Sequence, residues 1–129
     1  MKLVLMGVAV TALLGACGQV QQRMDLMDVR TVEFPASVAA DAPIDIVVEL
    51  GWGCTPDSPF GQFTATRTAK ELKLQAFTRT YTKPATNPPP CPPVYFYGKR
   101  TYTDPGTPAR SDPFEVIVNG KSYGTVRIQ

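Results

Sequence analysis

Cys17, Cys54 and Cys91 carry the most reactive side chains in this chain of 129 residues. A thiol can be alkylated, oxidised to a disulfide or bound to a metal, and its surroundings decide which. The usual catalytic partners are missing. The chain has no histidine, which excludes His-dependent triads, most zinc sites and an imidazole pH switch. A Ser–Lys dyad finds no S-x-x-K spacing, because Ser37, Ser58, Ser111 and Ser122 all lack a lysine three residues on. Asp41, Asp45, Asp57, Asp104 and Asp112 do not form the packed D-x-D loop that a calcium site uses, and they read as turn formers. Paired carboxylates for glycoside cleavage need a cleft that a domain this small rarely makes. These residues describe a non-enzyme with no cofactor and no metal.

The setting of Cys17 is informative. Lys2 is followed by the uncharged, mostly apolar run Leu3–Leu14, and small Gly15 and Ala16 precede Cys17. That is the layout of a secretory signal peptide, and the run is short for a spanning helix. The residues alone also fit an ordinary signal peptide with a coincidental cysteine, or a short uncleaved anchor. Leu14-Gly15-Ala16-Cys17 resembles the lipobox of bacterial lipoproteins. The resemblance implies that the Cys17 thiol receives a diacylglyceryl group, that the chain is cut just before it, and that the new amine is often acylated, with palmitate a typical chain. Membrane lipid is then the first partner, at about 0.8 kcal/mol per buried methylene, and two or three acyl chains anchor stably. The implied location is the cell envelope, with the protein facing the periplasm or the exterior. Gly18 stands where an Asp would resemble an inner-membrane retention signal, which favours export to an outer surface.

With Cys17 assigned to lipid, Cys54 and Cys91 remain as an even pair in an oxidising compartment and read as a disulfide. The bond would close a loop over residues 55–90 and contribute about 4 kcal/mol through the unfolded state. A metal or redox pair is the poorer alternative, since there is no C-x-x-C and no third ligand.

Partners other than lipid are narrowed by charge. Beyond residue 16 the balance is 12 Lys+Arg against 11 Asp+Glu. Nucleic-acid binding needs a concentrated basic patch and is not expected. Two features could hold a protein or glycan partner. One is the Pro-rich stretch 84–93, which includes Pro90 and Pro92 and reads as a rigid crossover or as a presented loop of the kind used by protease inhibitors. The other is the aromatic set Trp52, Tyr81, Tyr95, Phe96, Tyr97 and Tyr102, whose members could stack on a ligand or simply fill a core. Trp52, between Gly51 and Gly53, is expected to be the most exposed, and Trp52, Tyr95, Tyr97, Pro90 and Pro92 form the candidate binding surface.

The elements that must carry these residues are strands. Residues 29–34, 44–50, 62–69, 71–82, 95–103, 114–118 and 121–128 read as strands from alternation and from their Val, Thr and aromatic content. The stretch 51–61 reads as a Gly- and Pro-rich loop. Asn119-Gly120 reads as a type I′ hairpin turn, and Gly124 as a bulge that turns Val126 and Ile128 to the core. About seven short strands with regular turn signals indicate an all-β sandwich. "FPASVAADAPIDIVVEL" and "DPFEVIVNGKSYGTVRI" resemble the first and last parts of immunoglobulin-like domains of bacterial envelope proteins. The resemblance departs at the cysteines, since Trp52 precedes Cys54 and Cys91 lies among prolines. The expected organisation is a signal peptide over 1–16, a lipidated N-terminus and tether over 17–28, and an immunoglobulin-like antiparallel β-sandwich over 29–129. The expected function is a non-catalytic structural or binding role at the envelope. The alternatives are an adhesion or ligand-binding module and a small protease inhibitor presenting the 84–93 loop.

Overall fold

A computed structural model of the chain describes residues 21–53, 57–82 and 95–129. The described residues are all-β. β1 is Gln21–Arg23, β2 Asp28–Glu33, β3 Ser37–Val38, β4 Ile44–Gly53 and β5 Phe60–Arg67. β6 is Glu71–Thr78, β7 Thr80–Thr82, β8 Phe96–Asp104, β9 Phe114–Val118 and β10 Lys121–Ile128. One sheet has the order β2-β4-β8 and the other β3-β10-β9-β6-β5, with β1 and β7 pairing as a separate ribbon.

Alternation in the central strands builds the core. Ile44, Ile46, Val48 and Leu50 of β4 face inward, as do Leu72, Leu74 and Ala76 of β6, Phe114, Val116 and Val118 of β9, and Val126 of β10. Each large side chain buried this way contributes about 1.5–3 kcal/mol. Pro35, which has no N–H to give a ladder, ends β2. The chain then leaves that sheet, and β3 pairs in parallel with β10 in the other. β6 and β9 also run in parallel.

The β9–β10 hairpin matches its reading. Asn119 and Gly120 both have positive φ, 48° and 81°, as a type I′ turn requires. The register shifts between Ser122 and Gly124, where φ is 124°. Val126 is buried after this bulge, and Ile128 packs against the core half-buried.

Two expectations are corrected. The 51–61 loop is shorter, because β4 continues through Gly51, Trp52 and Gly53, paired to β8, and β5 begins at Phe60. The Tyr95 and Tyr97 rings lie where a side chain at Gly51 would stand, and Tyr95 covers Gly53 as well. Residues 21–28, expected as part of a tether, are tied into the fold from Gln21 onward. β1 pairs antiparallel with β7, Leu26 bridges Phe77, and the Thr78 amide donates to the Asp25 carbonyl at 2.8 Å.

Asn119 makes the joint where β9 gives up the edge of β6 to this segment. Its amide donates to the Leu74 carbonyl at 2.8 Å. Its Oδ1 accepts from the Ala76 amide at 2.9 Å, and its Nδ2 donates to the Met27 carbonyl at 2.7 Å. Met27 is buried there. The polar composition of 21–28 hid a segment whose backbone does the pairing.

Candidate functional site

The outer face of β2-β4-β8 carries an exposed aromatic pair. Tyr97 lies opposite Gly51, and Phe96 lies opposite Gly53. Tyr95 and Tyr97 alternate outward while Phe96 is half-buried. A Cβ at Gly51 would stand 2.4 Å from Cε1 of Tyr95 and 3.1 Å from Cε1 of Tyr97. Only a bare backbone lets both rings fold down onto the strand. The ring centroids are 4.9 Å apart and the planes tilt by 57°. The rings nevertheless remain 45% and 43% exposed.

Charged groups frame the pair. The Arg30 guanidinium lies 4.4 Å from the Tyr97 centroid, within cation–π range, and its Nε is 3.3 Å from Glu49 Oε1. The Tyr95 hydroxyl donates a long hydrogen bond, 3.4 Å, to Asp28. Desolvation against the strand, and then the Asp28 carboxylate, hold the Tyr95 phenol above its ordinary pKa.

Trp52 does not join that face. The β4 alternation places it on the same side as Leu50, packed half-buried against the core. A Cβ at Gly98 would meet its ring at 2.9 Å. The expectation of an exposed Trp52 is therefore corrected, because the strand runs on where a loop was read. Cys17, Cys54, Cys91, Pro90 and Pro92 lie outside the described residues.

A second constellation was missed by reading the sequence. Asp104 ends β8 fully buried. Arg67 Nε donates to both of its oxygens, at 3.0 and 3.2 Å, and Arg110 Nη2 donates to Oδ2. Arg110 Nη1 also donates to the carbonyls of Ala42, at 2.6 Å, and Ala39, at 3.3 Å. Arg67 Nη2 donates to Pro108 at 2.8 Å. Both guanidinium groups lie over the Phe114 ring, at 4.5 and 5.4 Å. The signal available was the inward row of β8, Phe96, Gly98, Arg100, Tyr102 and Asp104, which places charges at core parity. Both Asp104 oxygens accept from arginines and are enclosed, so this group braces the fold. Arg67, Asp104 and Arg110 tie the 105–110 connection and the Ala39–Ala42 turn to the ends of β5 and β8.

Surface grooves of about 450 Å³ and 500 Å³ lie elsewhere, on the five-stranded sheet. The first is lined by Thr66, Lys73, Leu74, Gln75, Ile117 and Gly120. Glu71, which lines the second, is 3.5 Å from Lys73. Among the described residues no group of three His, Cys, Asp or Glu side chains is arranged to hold a metal. The arrangement suits a contact surface at one end of the molecule and a closed ionic brace at the other. No protein-family model matches the chain, and none of the curated proteins or solved structures compared with it matches.

Proposed function

We propose that the protein is a lipid-anchored cell-envelope protein whose β domain has a non-catalytic structural or binding role. The observation that carries the reading is Leu14-Gly15-Ala16-Cys17 closing the apolar run Leu3–Leu14. The absence of histidine and the burial of Asp104 between two arginines favour a role without catalysis.

The domain is an immunoglobulin-like sandwich in the broad sense. Support comes from a first strand that leaves one sheet at Pro35 for the other and from the closing Asn-Gly hairpin. The parallel β6–β9 pair departs from the antiparallel sheets of that fold. A Cys54–Cys91 disulfide would pin the end of this arrangement. It is supported by the even pair of cysteines left once Cys17 is assigned to lipid.

Intact mass of the membrane-extracted protein, with and without reductant, tests the reading. The expected species begins at Cys17, carries the mass of its acyl chains, and gains the mass of two hydrogens on reduction. A Cys17→Ser chain that pellets with membranes as firmly as the parent overturns the anchor. Within this reading, the exposed Tyr95–Tyr97 pair favours a binding surface over a purely structural domain.

A further inference from the structure

We infer that the Tyr95–Tyr97 end of the domain rests on the bilayer itself, in the headgroup layer, with Met24, Leu26, Tyr95 and Tyr97 as its contact residues. This rests on the lipid anchor at Cys17 proposed above. Among the described residues the exposed large hydrophobic side chains are Met24, Leu26, Tyr95 and Tyr97, with Leu26 the most open at 51%. They gather at one end. Met24 and Leu26 lie just before β2, and Asp28 at the start of β2 accepts from Tyr95. The Asp28–Gly51–Tyr97 row continues that end across the sheet.

The chain from the anchor arrives at the same end. Gln21, the first residue of β1, stands four positions after Cys17. Four residues span at most about 14 Å when fully extended. A headgroup layer is itself about 5–7 Å thick. Gln21 therefore stands at most about 7–9 Å clear of the headgroup layer. Because β1 and residues 25–27 are hydrogen-bonded to β7 and β6, that short reach orients the whole domain.

The chemistry of this end suits an interface. Tyrosine places a ring at the acyl boundary and a hydroxyl in the headgroups. Nearby charges are mixed, with Asp25, Asp28 and Glu49 against Arg30, Arg79 and Lys99. Zwitterionic lipid is therefore sufficient, and the contact is insensitive to salt.

The test uses the full lipidated chain in phosphatidylcholine vesicles containing brominated lipid. In a Trp52→Phe background, Leu26→Trp is compared with Thr125→Trp, an exposed position at the opposite end of the sheets. Docking predicts several-fold stronger quenching by bromolipid at position 26, unchanged by added salt. Equal, weak quenching at both positions overturns it. So does a position 26 shielded from aqueous iodide yet beyond bromolipid, which would place a second copy or another protein there. The parent chain gives an independent reading: nitration of Tyr95 and Tyr97, relative to Tyr123, falls several-fold on vesicles compared with protein in dilute detergent. An unchanged ratio overturns the inference. Membrane pelleting of Cys17→Ser separates the two proposals, because the anchor can hold while docking fails.

Discussion

At one end of β8, Asp104 is fully buried between two guanidinium groups; at the other, Tyr95 and Tyr97 stay close to half exposed. Six residues of one strand separate the Tyr97 ring, left in water, from the Asp104 charge taken out of it. Each arrangement has a local cause. The buried carboxylate is tolerated because both of its oxygens accept from arginines, and those arginines also bond backbone carbonyls. The exposed rings are held by glycines beneath them and by Arg30 and Asp28 beside them, at little cost in core volume. The difference teaches that one end of this sheet is closed by buried ion pairs, while the other leaves aromatic rings open to solvent.

The largest expected effect breaks the closed end. Asp104→Ala leaves two enclosed guanidinium groups without their anion and should cost about 3–5 kcal/mol, read from urea unfolding midpoints. Replacing Asp104, Arg67 and Arg110 together by apolar residues of similar volume should recover much of that loss. A cost under about 1 kcal/mol for Asp104→Ala, the level of a surface pair, would remove the contrast.

Next in size is the joint between β9 and the N-terminal segment. Asn119→Ala strands the Ala76 amide and the Met27 carbonyl, each a buried-group loss of about 1–3 kcal/mol. Hydrogen exchange should accelerate first at Met27, Ala76 and Thr78. Uniform acceleration across β4 and β9 would mean that the joint is no separate unit.

Gly51→Ala acts on the open end. Its methyl would collide with the Tyr95 ring, which can swing into solvent, so the expected cost is about 1 kcal/mol, low in the overpacking range. Ring-current shifts at Arg30 and Glu49 should collapse as the pair opens. Their persistence would show that the rings do not depend on the bare strand.

Smallest is Tyr95→Phe, with little effect at neutral pH and a visible one in alkali. Desolvation raises the phenol pKa of Tyr95, Tyr102 and Tyr123; nearby carboxylates raise it further, and Arg67 partly offsets this at Tyr102. A folded pKa above the unfolded value favours the folded state only while the phenol stays neutral. The contribution is therefore complete below about pH 10 and is lost as pH rises through the raised folded values. Parent and variant should unfold alike at pH 7, and the parent should lose more stability between neutral and strongly alkaline pH. Parallel curves would show that neither desolvation nor the Asp28 contact raises the Tyr95 phenol on folding.

The alternation of Ile44, Ile46, Val48 and Leu50 was enough to define β4 and its buried face, and Asn119-Gly120 was enough to define the last hairpin and its bulge at Gly124. Those features depend on near neighbours: a pleat has period two, and a type I′ turn admits few residues. The pairing of Leu26 with Phe77, the parallel β6–β9 contact and the three bonds of Asn119 join residues distant in sequence, and no local pattern encodes them. Trp52 was misread for the same reason, since a glycine on each side signals a loop unless rings from another strand cover the gap. Asp104 looked like a turn former because its partners, Arg67 and Arg110, stand 37 and 6 residues away.

By itself, then, the sequence determined the strand content, the final turn and the absence of imidazole chemistry. Only the tertiary structure decided which charges are enclosed and which aromatics stay open, because burial belongs to the pair of surfaces that meet and not to either residue alone.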